Sequence, residues 1–375
     1  MAMNYHLITV VWGKSFTDLF LRVVIPSQLS PNNLPAFKNE RAVYKIYTTF
    51  EDAQTIKNSK VFKQLTDIIS TEIIFIHVPE TEALHSILSD CHKMAIEKAL
   101  KTSSALIFLT PDAIFSDGSF SHVVKICKTG KRAIMVAGFR VEKERFVSEL
   151  LMEYYQESDN TINISSRELV KLSLDSMHPL TKSLFWNKGK INSWPSHIYW
   201  NVDDGGILLR AFHLHPLMIN PSNNVVDFET TVDGDYFYYA CPNFNDIHIV
   251  TDSDDIAVIE MSERERFGQI DKKYRAIPFK IAVWAKYSTN AHHRLFFRHA
   301  IKIHSDELSP KWNEVENHSY AFVKKVLFFL EYEKVLFAKK TLYLLIFNIT
   351  RFLFGEGGVK CARKMKKIIS KDKQG

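Results

Sequence analysis

A chain of 375 residues, 46% hydrophobic and 24% charged, can bury a full core, and with 13 Gly and 12 Pro it is no low-complexity or disordered tract. Its net charge of +6 is unevenly placed: residues 319–375 hold thirteen Lys/Arg against four Asp/Glu, and the remainder is slightly acidic. That excludes the basic folded body of a typical nucleic-acid binder and points to an anionic surface met by the C-terminus.

Cys91, Cys127, Cys241 and Cys361 show no CxxC spacing, which argues against a zinc knuckle or a disulfide framework and fits a reducing cytoplasm. Met1 to His6 has no basic leader and Leu7 to Val11 is short for a secretory segment, so no signal peptide is expected.

In chain order, Leu7 to Val11 reads as a strand broken by Trp12-Gly13, and Phe16 to Val24 has helical spacing. Val43 to Thr49 is a second strand, Glu51 to Ser59 and Lys60 to Ser70 are helices, and Glu72 to His77 is a third strand. Glu82 to Thr102 repeats apolar residues at helical intervals. Ala105 to Leu109 is a buried strand that stops at Thr110-Pro-Asp112. Ser119 to Lys128 is a helix and Arg132 to Ala137 a fifth strand. Solid apolar strands alternating with helices predict an α/β fold with a mostly parallel sheet flanked by helices. Ligands of such sheets sit beyond the carboxyl ends of the strands, which gathers Trp12, Thr48, Thr49, His77 and Asp112 around one crevice. Asp112 reads there as a ligand residue or as a turn and cap after a strand.

Glu142 to Asn192 looks helical and polar. After it His197 to Val202, Gly206 to Pro216, Tyr236 to Tyr239 and Ile247 to Thr251 read as short strands or loop edges, and helices return after Ser262. Asp203 and Asp204 precede Gly-Gly and can place a general base near an acceptor hydroxyl. Arg210 suits bidentate phosphate binding. On one strand His213 and His215 face the same side, as metal ligands or diphosphate contacts. Trp186, Trp194 and Trp200 are either sugar-stacking rings or ordinary core. Asp233-Gly-Asp235, a literal Asp-x-Asp, and Asp252-Ser-Asp-Asp255, a strand-end carboxylate group, read as turns or as groups that complete a metal site or recognise the acceptor. Lys131, Arg132 and Arg140 are further phosphate candidates.

From Ser319 the pattern is helical. Its longest charge-free run, Thr341 to Thr350, is too short to span a bilayer, and with Arg363-Lys-Met-Lys-Lys367 it suits a helix lying in the headgroup plane.

Thr9-Val-Val-Trp-Gly13, the helix holding His92 to Ala99, and Thr110-Pro-Asp112 at a strand end together resemble a nucleotide-sugar-dependent glycosyltransferase of the GT-A type, with Thr110 in place of the first carboxylate of Asp-x-Asp. The resemblance implies a GT-A-like catalytic domain over 1–318, with a nucleotide-binding half over 1–140 and an acceptor and catalytic half over 193–260, followed by the basic helical region 319–375. It implies Trp12, Thr48, Asp112 and Arg210 at the nucleotide and diphosphate, and Asp203 or Asp204 as base. A divalent cation, Mn2+ or Mg2+, would be held by Asp112, His213 and His215. The partners implied are a nucleotide-sugar donor, a glycan or lipid-linked acceptor in surface polysaccharide synthesis, and the inner face of the cell membrane. No P-loop, GxGxxG, HExxH or GxSxG stands in a fitting context. Two other classes use the same features: a metal-dependent phosphoryl or nucleotidyl transferase, and a non-enzymatic binding protein at a membrane surface.

Overall fold

A computed structural model of the chain describes residues 3–79, 84–187, 189–192, 195–202, 205–229, 231–267 and 273–332. Its centre is a seven-stranded sheet of β1 (Asn4–Val10), β2 (Arg41–Thr48), β3 (Ser70–Phe75), β4 (Ser104–Leu109), β5 (Ala133–Val136), β6 (His215–Ile219) and β7 (Ile247–Ile249). The spatial order is β7-β5-β6-β4-β1-β2-β3. Only β6 runs antiparallel to its neighbours; every other pairing in the sheet is parallel. This is the mainly parallel α/β sheet flanked by helices that the apolar runs predict, with the first five strands where the sequence places them.

The reason is burial on both faces. All six residues of β4 are buried, and Ile87, Cys91, Ala95, Ile96 and Ala99 of the helix Leu84–Lys101 join them in one core. Phe20, Val23, Val24 and Ile25 join the same core from the helical stretch after β1. That stretch widens to a π-turn over Phe20–Val24 just ahead of Pro26, whose ring cannot fit a regular preceding turn. Cys91, Cys127 and Cys241 are buried free thiols.

Two smaller sheets extend the body. Ala113–Phe115, Val258–Ser262 and Phe139–Glu142 form one, with the middle strand antiparallel to the first and parallel to the last. His197–Asn201, Gly206–Ala211 and Ile301–His304 form the other. Gly206 to Pro216, expected as one strand, therefore divides: Gly206–Ala211 lies in the small sheet and β6 in the large one, and Phe212 to Leu214 connect them. Tyr236 to Tyr239, expected as a short strand or loop edge, belongs to a π-turn over Val232–Tyr236 and the helix Phe237–Ala240.

The loop after β1 is fixed from β2. Thr49 caps the helix Phe50–Asn58, accepting from the Asp52 N–H at 3.2 Å. The Asp52 carboxylate accepts from the Gly13 N–H at 2.9 Å, the Thr17 hydroxyl at 2.9 Å and the Thr49 hydroxyl at 2.7 Å. Gly13, at φ +81°, takes a conformation costly for other residues. Asp52→Ala strands these three donors and should lower unfolding stability by roughly 2–3 kcal/mol, read by urea titration. A loss below about 0.5 kcal/mol would show that water replaces the carboxylate.

The described residues divide into two compact units, Met1–Ala276 with Thr289–Tyr320, and Ile277–Ser288 with 321–332. Within the second, Phe279 meets Phe329 edge-on at 5.6 Å and Phe328 stacks on Tyr332 at 5.5 Å. Phe279, Tyr287 and Phe328 are largely exposed. Among the described residues no helix is long and apolar enough to cross a membrane. Thr341 to Thr350 and Arg363 to Lys367 lie outside the described residues.

Candidate functional site

A cleft of about 270 Å³ opens at the carboxyl ends of β1 and β4. Trp12 and Phe16 from the loop and helix after β1, and Leu88 from the helix Leu84–Lys101, form apolar walls. Asp112 from the end of β4, His215 from the start of β6, His92 and Arg266 supply its polar groups. β6 enters antiparallel, so its first residue meets the last residues of β4; the crossing of directions brings Asp112 and His215 to one edge.

The small sheet beside this edge sets the charges. Met261 donates its N–H to the Asp112 carbonyl at 2.8 Å, and Glu260 is the register partner of both Ala113 and Arg140. Arg140 pairs with the Glu260 carboxylate, donates to the Ser262 hydroxyl at 2.9 Å, and lies 4.9 Å over the Phe267 ring. Arg266 reaches 4.0 Å from Asp112 and rests over Phe16 at 5.6 Å.

Burial raises the Asp112 carboxyl above the ordinary aspartate range, and the charge of Glu260 adds to the rise; Arg140, Arg266 and the Thr110 hydroxyl only partly offset it. Glu260 goes the other way. Burial would raise it, but Arg140, with His215 and His197 nearby, holds it below the usual range. Burial, then His215, pushes His92 down to about 4. His215 donates from Nε2 to the Phe108 carbonyl at 2.8 Å, which fixes its tautomer and leaves Nδ1 with the lone pair.

A second group of imidazoles borders the site. The His213 and His293 rings lie 4.3 Å apart, and His293 donates from Nε2 to the Asp233 carbonyl at 3.0 Å while Nδ1 accepts from the Asn290 N–H. Burial, then His213, lowers His293 to about 4. Burial also lowers His197 and His213, with Asp233 close enough to oppose both shifts.

Several expectations need correction. His213 is not on a strand with His215; it sits in the connection between two sheets and packs on His293, outside the residues lining the cleft. Thr48 is fully buried and cannot touch a diphosphate. Arg210, 2% exposed, donates from Nε to the Ser319 hydroxyl and from Nη1 to the Arg298 carbonyl, away from the cleft. Lys131 and Arg132 are bound to backbone carbonyls of Asn245, Asn220 and Pro221. Trp186 and Trp200 stack on each other at 5.6 Å and do not line the cleft. His77 is exposed. Asp203, Asp204 and Trp194 lie outside the described residues. Their neighbours Val202 and Gly205 close the hairpin end that pairs with Ser305, opposite the end bearing His197.

The cation implied by the sequence resemblance finds a poor set of donors. Around Asp112 stand one imidazole lone pair and two guanidiniums, with Thr110 where a second carboxylate belongs. Asp252, Asp254 and His304 are compatible with a divalent cation by distance, their ligand atoms lying within 4.8 Å of one another. As bonded they form ion pairs instead. His304 donates from Nε2 to Asp252 at 2.8 Å and from Nδ1 to the Asp306 carbonyl, leaving no lone pair, and Arg167 holds Asp254 at 2.8 Å. Among the described residues lining the cleft, Arg266 carries the guanidinium charge, and Arg140 stands behind it paired with Glu260.

No family model matches the sequence, and no curated protein matches it. Among solved structures, the mannosyltransferase PcManGT from Pyrobaculum calidifontis, in complex with GDP-Man and Mn2+, is similar over 97% of this chain and 86% of its own, at 9% identity and TM-score 0.33. Mouse xyloside xylosyltransferase 1 is similar over 40% of this chain at 14% identity and TM-score 0.25. A protein from Bacillus anthracis described as a glucose-1-phosphate thymidylyltransferase, in complex with a sucrose, is similar over 38% at 11% identity and TM-score 0.23. The chain spans only 58% and 57% of the lengths of these last two. All three scores are low, so the functional reading rests on the cleft.

Sequence reasoning passed over Glu260, Arg266 and His92 as site residues. Glu260 had a signal, a lone carboxylate inside the apolar run Ile256 to Met261.

Proposed function

We propose that the chain is a glycosyltransferase that takes a nucleotide-sugar donor in the cleft between β1 and β4. One observation carries the reading: Asp112 and His215, distant in the chain, share a cleft with Trp12 and Arg266 at the carboxyl edge of the sheet. Trp12 and Phe16 offer flat apolar faces to a base or sugar ring. Arg266 pairs with the diphosphate, and Asp112 accepts from the sugar's hydroxyls. His92, held neutral by burial, and His215 place hydrogen-bonding nitrogens at the reacting end. The acceptor is a glycan or lipid-linked sugar in surface polysaccharide synthesis.

Calorimetry with nucleoside diphosphates and triphosphates tests this. A diphosphate should bind, and Arg266→Ala should weaken it about tenfold or more. Preference for triphosphates with release of pyrophosphate would replace the reading with nucleotidyl transfer.

We also propose that the basic C-terminal region holds the protein on the inner face of the membrane, supported by the charge bias of residues 319–375 and the exposed aromatics of the second unit. A chain ending at Tyr332, which keeps Ser319 on Arg210, should no longer sediment with anionic vesicles. Unchanged sedimentation would remove the membrane role.

A further inference from the structure

Arg210 opens onto a different cavity. This pocket, about 520 Å³, is formed by Arg210, Thr251 and Asp252, the segment Arg298 to Lys302, and Glu316, Asn317 and Tyr320. It shares no residue with the cleft. Its size falls within the roughly 300–1,000 Å³ of small-ligand sites.

The charges on its wall do not cancel. Lys302 is paired with Glu316 at 3.2 Å, and Asp252 with His304 at 2.8 Å. Both carboxylates of the pocket are thus satisfied. Arg210 and Arg298 have no carboxylate within ion-pair distance among the described residues. The Arg210 side chain is buried and pinned on one edge, Nε on the Ser319 hydroxyl at 3.1 Å and Nη1 on the Arg298 carbonyl at 2.5 Å. Its Nη2 makes no hydrogen bond among the described residues. Glu316 favours the Arg210 charge only from beyond ion-pair distance while it pairs with Lys302, so burial still weighs against the guanidinium, and one held rigidly at a cavity wall is already oriented for an oxyanion. The backbone of Arg298 holds Arg210, and its exposed side chain adds the second positive group.

We propose that this pocket is a second, separate anion site that takes a phosphoryl group carried by a small molecule. The site stands whether or not the cleft binds a nucleotide sugar. Titration calorimetry on the full chain, with sodium phosphate and with glucose 1-phosphate against chloride at equal ionic strength, reads it directly. Saturable binding is expected. Arg298→Ala, at an exposed position, should weaken it about tenfold, and Glu316→Gln, which frees Lys302, should tighten it several-fold. Arg266→Ala should leave it unchanged, which separates this pocket from the cleft. Arg210→Gln should abolish binding, and because it risks unfolding, the Arg298 and Glu316 variants carry the test. Tighter glucose 1-phosphate assigns a sugar-borne phosphate, and equal affinity assigns the free ion. The proposal is overturned by absence of saturable binding to either probe, by indifference to both exposed-site variants, or by loss in Arg266→Ala instead.

Discussion

Asp112→Asn should cut transfer at least about a hundredfold while leaving the protein no less stable than before. The two halves of that expectation share one cause. Asp112 is largely buried, and burial with the neighbouring Glu260 raises its carboxyl. An aspartate whose folded pKa lies above its unfolded value holds its proton more tightly when folded, so at neutral pH its negative charge costs the fold stability. The amide removes that cost. Its backbone role survives, since the Asp112 carbonyl still accepts from the Met261 N–H. What disappears is the carboxylate that Arg266 approaches in the cleft, and with it the acceptor for the donor's hydroxyls. Transfer by the unsubstituted protein should fall as pH drops through the raised Asp112 value, a limb above the ordinary aspartate range that the variant lacks. Transfer and nucleotide binding at the unsubstituted level would end the assignment of this cleft.

How much of this was legible varies with range. Strands β1, β4 and β5 announce themselves because they are almost wholly buried and carry solid apolar runs, while β2 and the more exposed β3 show through the shorter apolar stretches within them. β6 does not, because apolar patterning reports burial and is blind to a change of sheet at Phe212 to Leu214. His213 and His215 then look like a same-face pair when they serve different neighbourhoods. Tyr236 to Tyr239 misleads for a related reason: aromatic residues favour strands, and here packing of Tyr236 and Phe237 into the core overrides that preference. Asp112 could be found from sequence, since a carboxylate at a strand's mouth is a local feature. The Arg140–Glu260 pair could not, because residues 120 apart in sequence meet only once two strands pair in register.

Between pH 7 and 5 the protein should lose on the order of 3–5 kcal/mol of unfolding stability, read by urea titration. His6, His92 and His293 are each held at about 4, in every case chiefly by burial. His6 shows the physics plainly: it lies in β1 at 7% exposure, and Lys45 and Lys98 oppose its charge more than Glu72 favours it. A histidine with a lowered folded value binds its proton mainly in the unfolded chain. Stability therefore falls as pH drops below about 6.5, and goes on falling until the folded values near 4 are reached. Burial lowers His197, His213, His248 and His292 as well, which steepens the slope. His304 works in the opposite direction. Burial would lower it, but Asp252 and the Asp306 carbonyl raise it, so its contribution is full below its unfolded value and is lost as pH rises through the folded one. One raised imidazole does not offset so many lowered ones. His6→Asn should remove close to one proton from the slope, and a flat stability from pH 7 to 5 would contradict the buried, neutral state of these rings. His92 ties this to the cleft it lines. An anion bound beside it draws a proton back to the folded state, so a saturating nucleoside diphosphate should flatten the slope by up to one further proton, and one bound elsewhere should not.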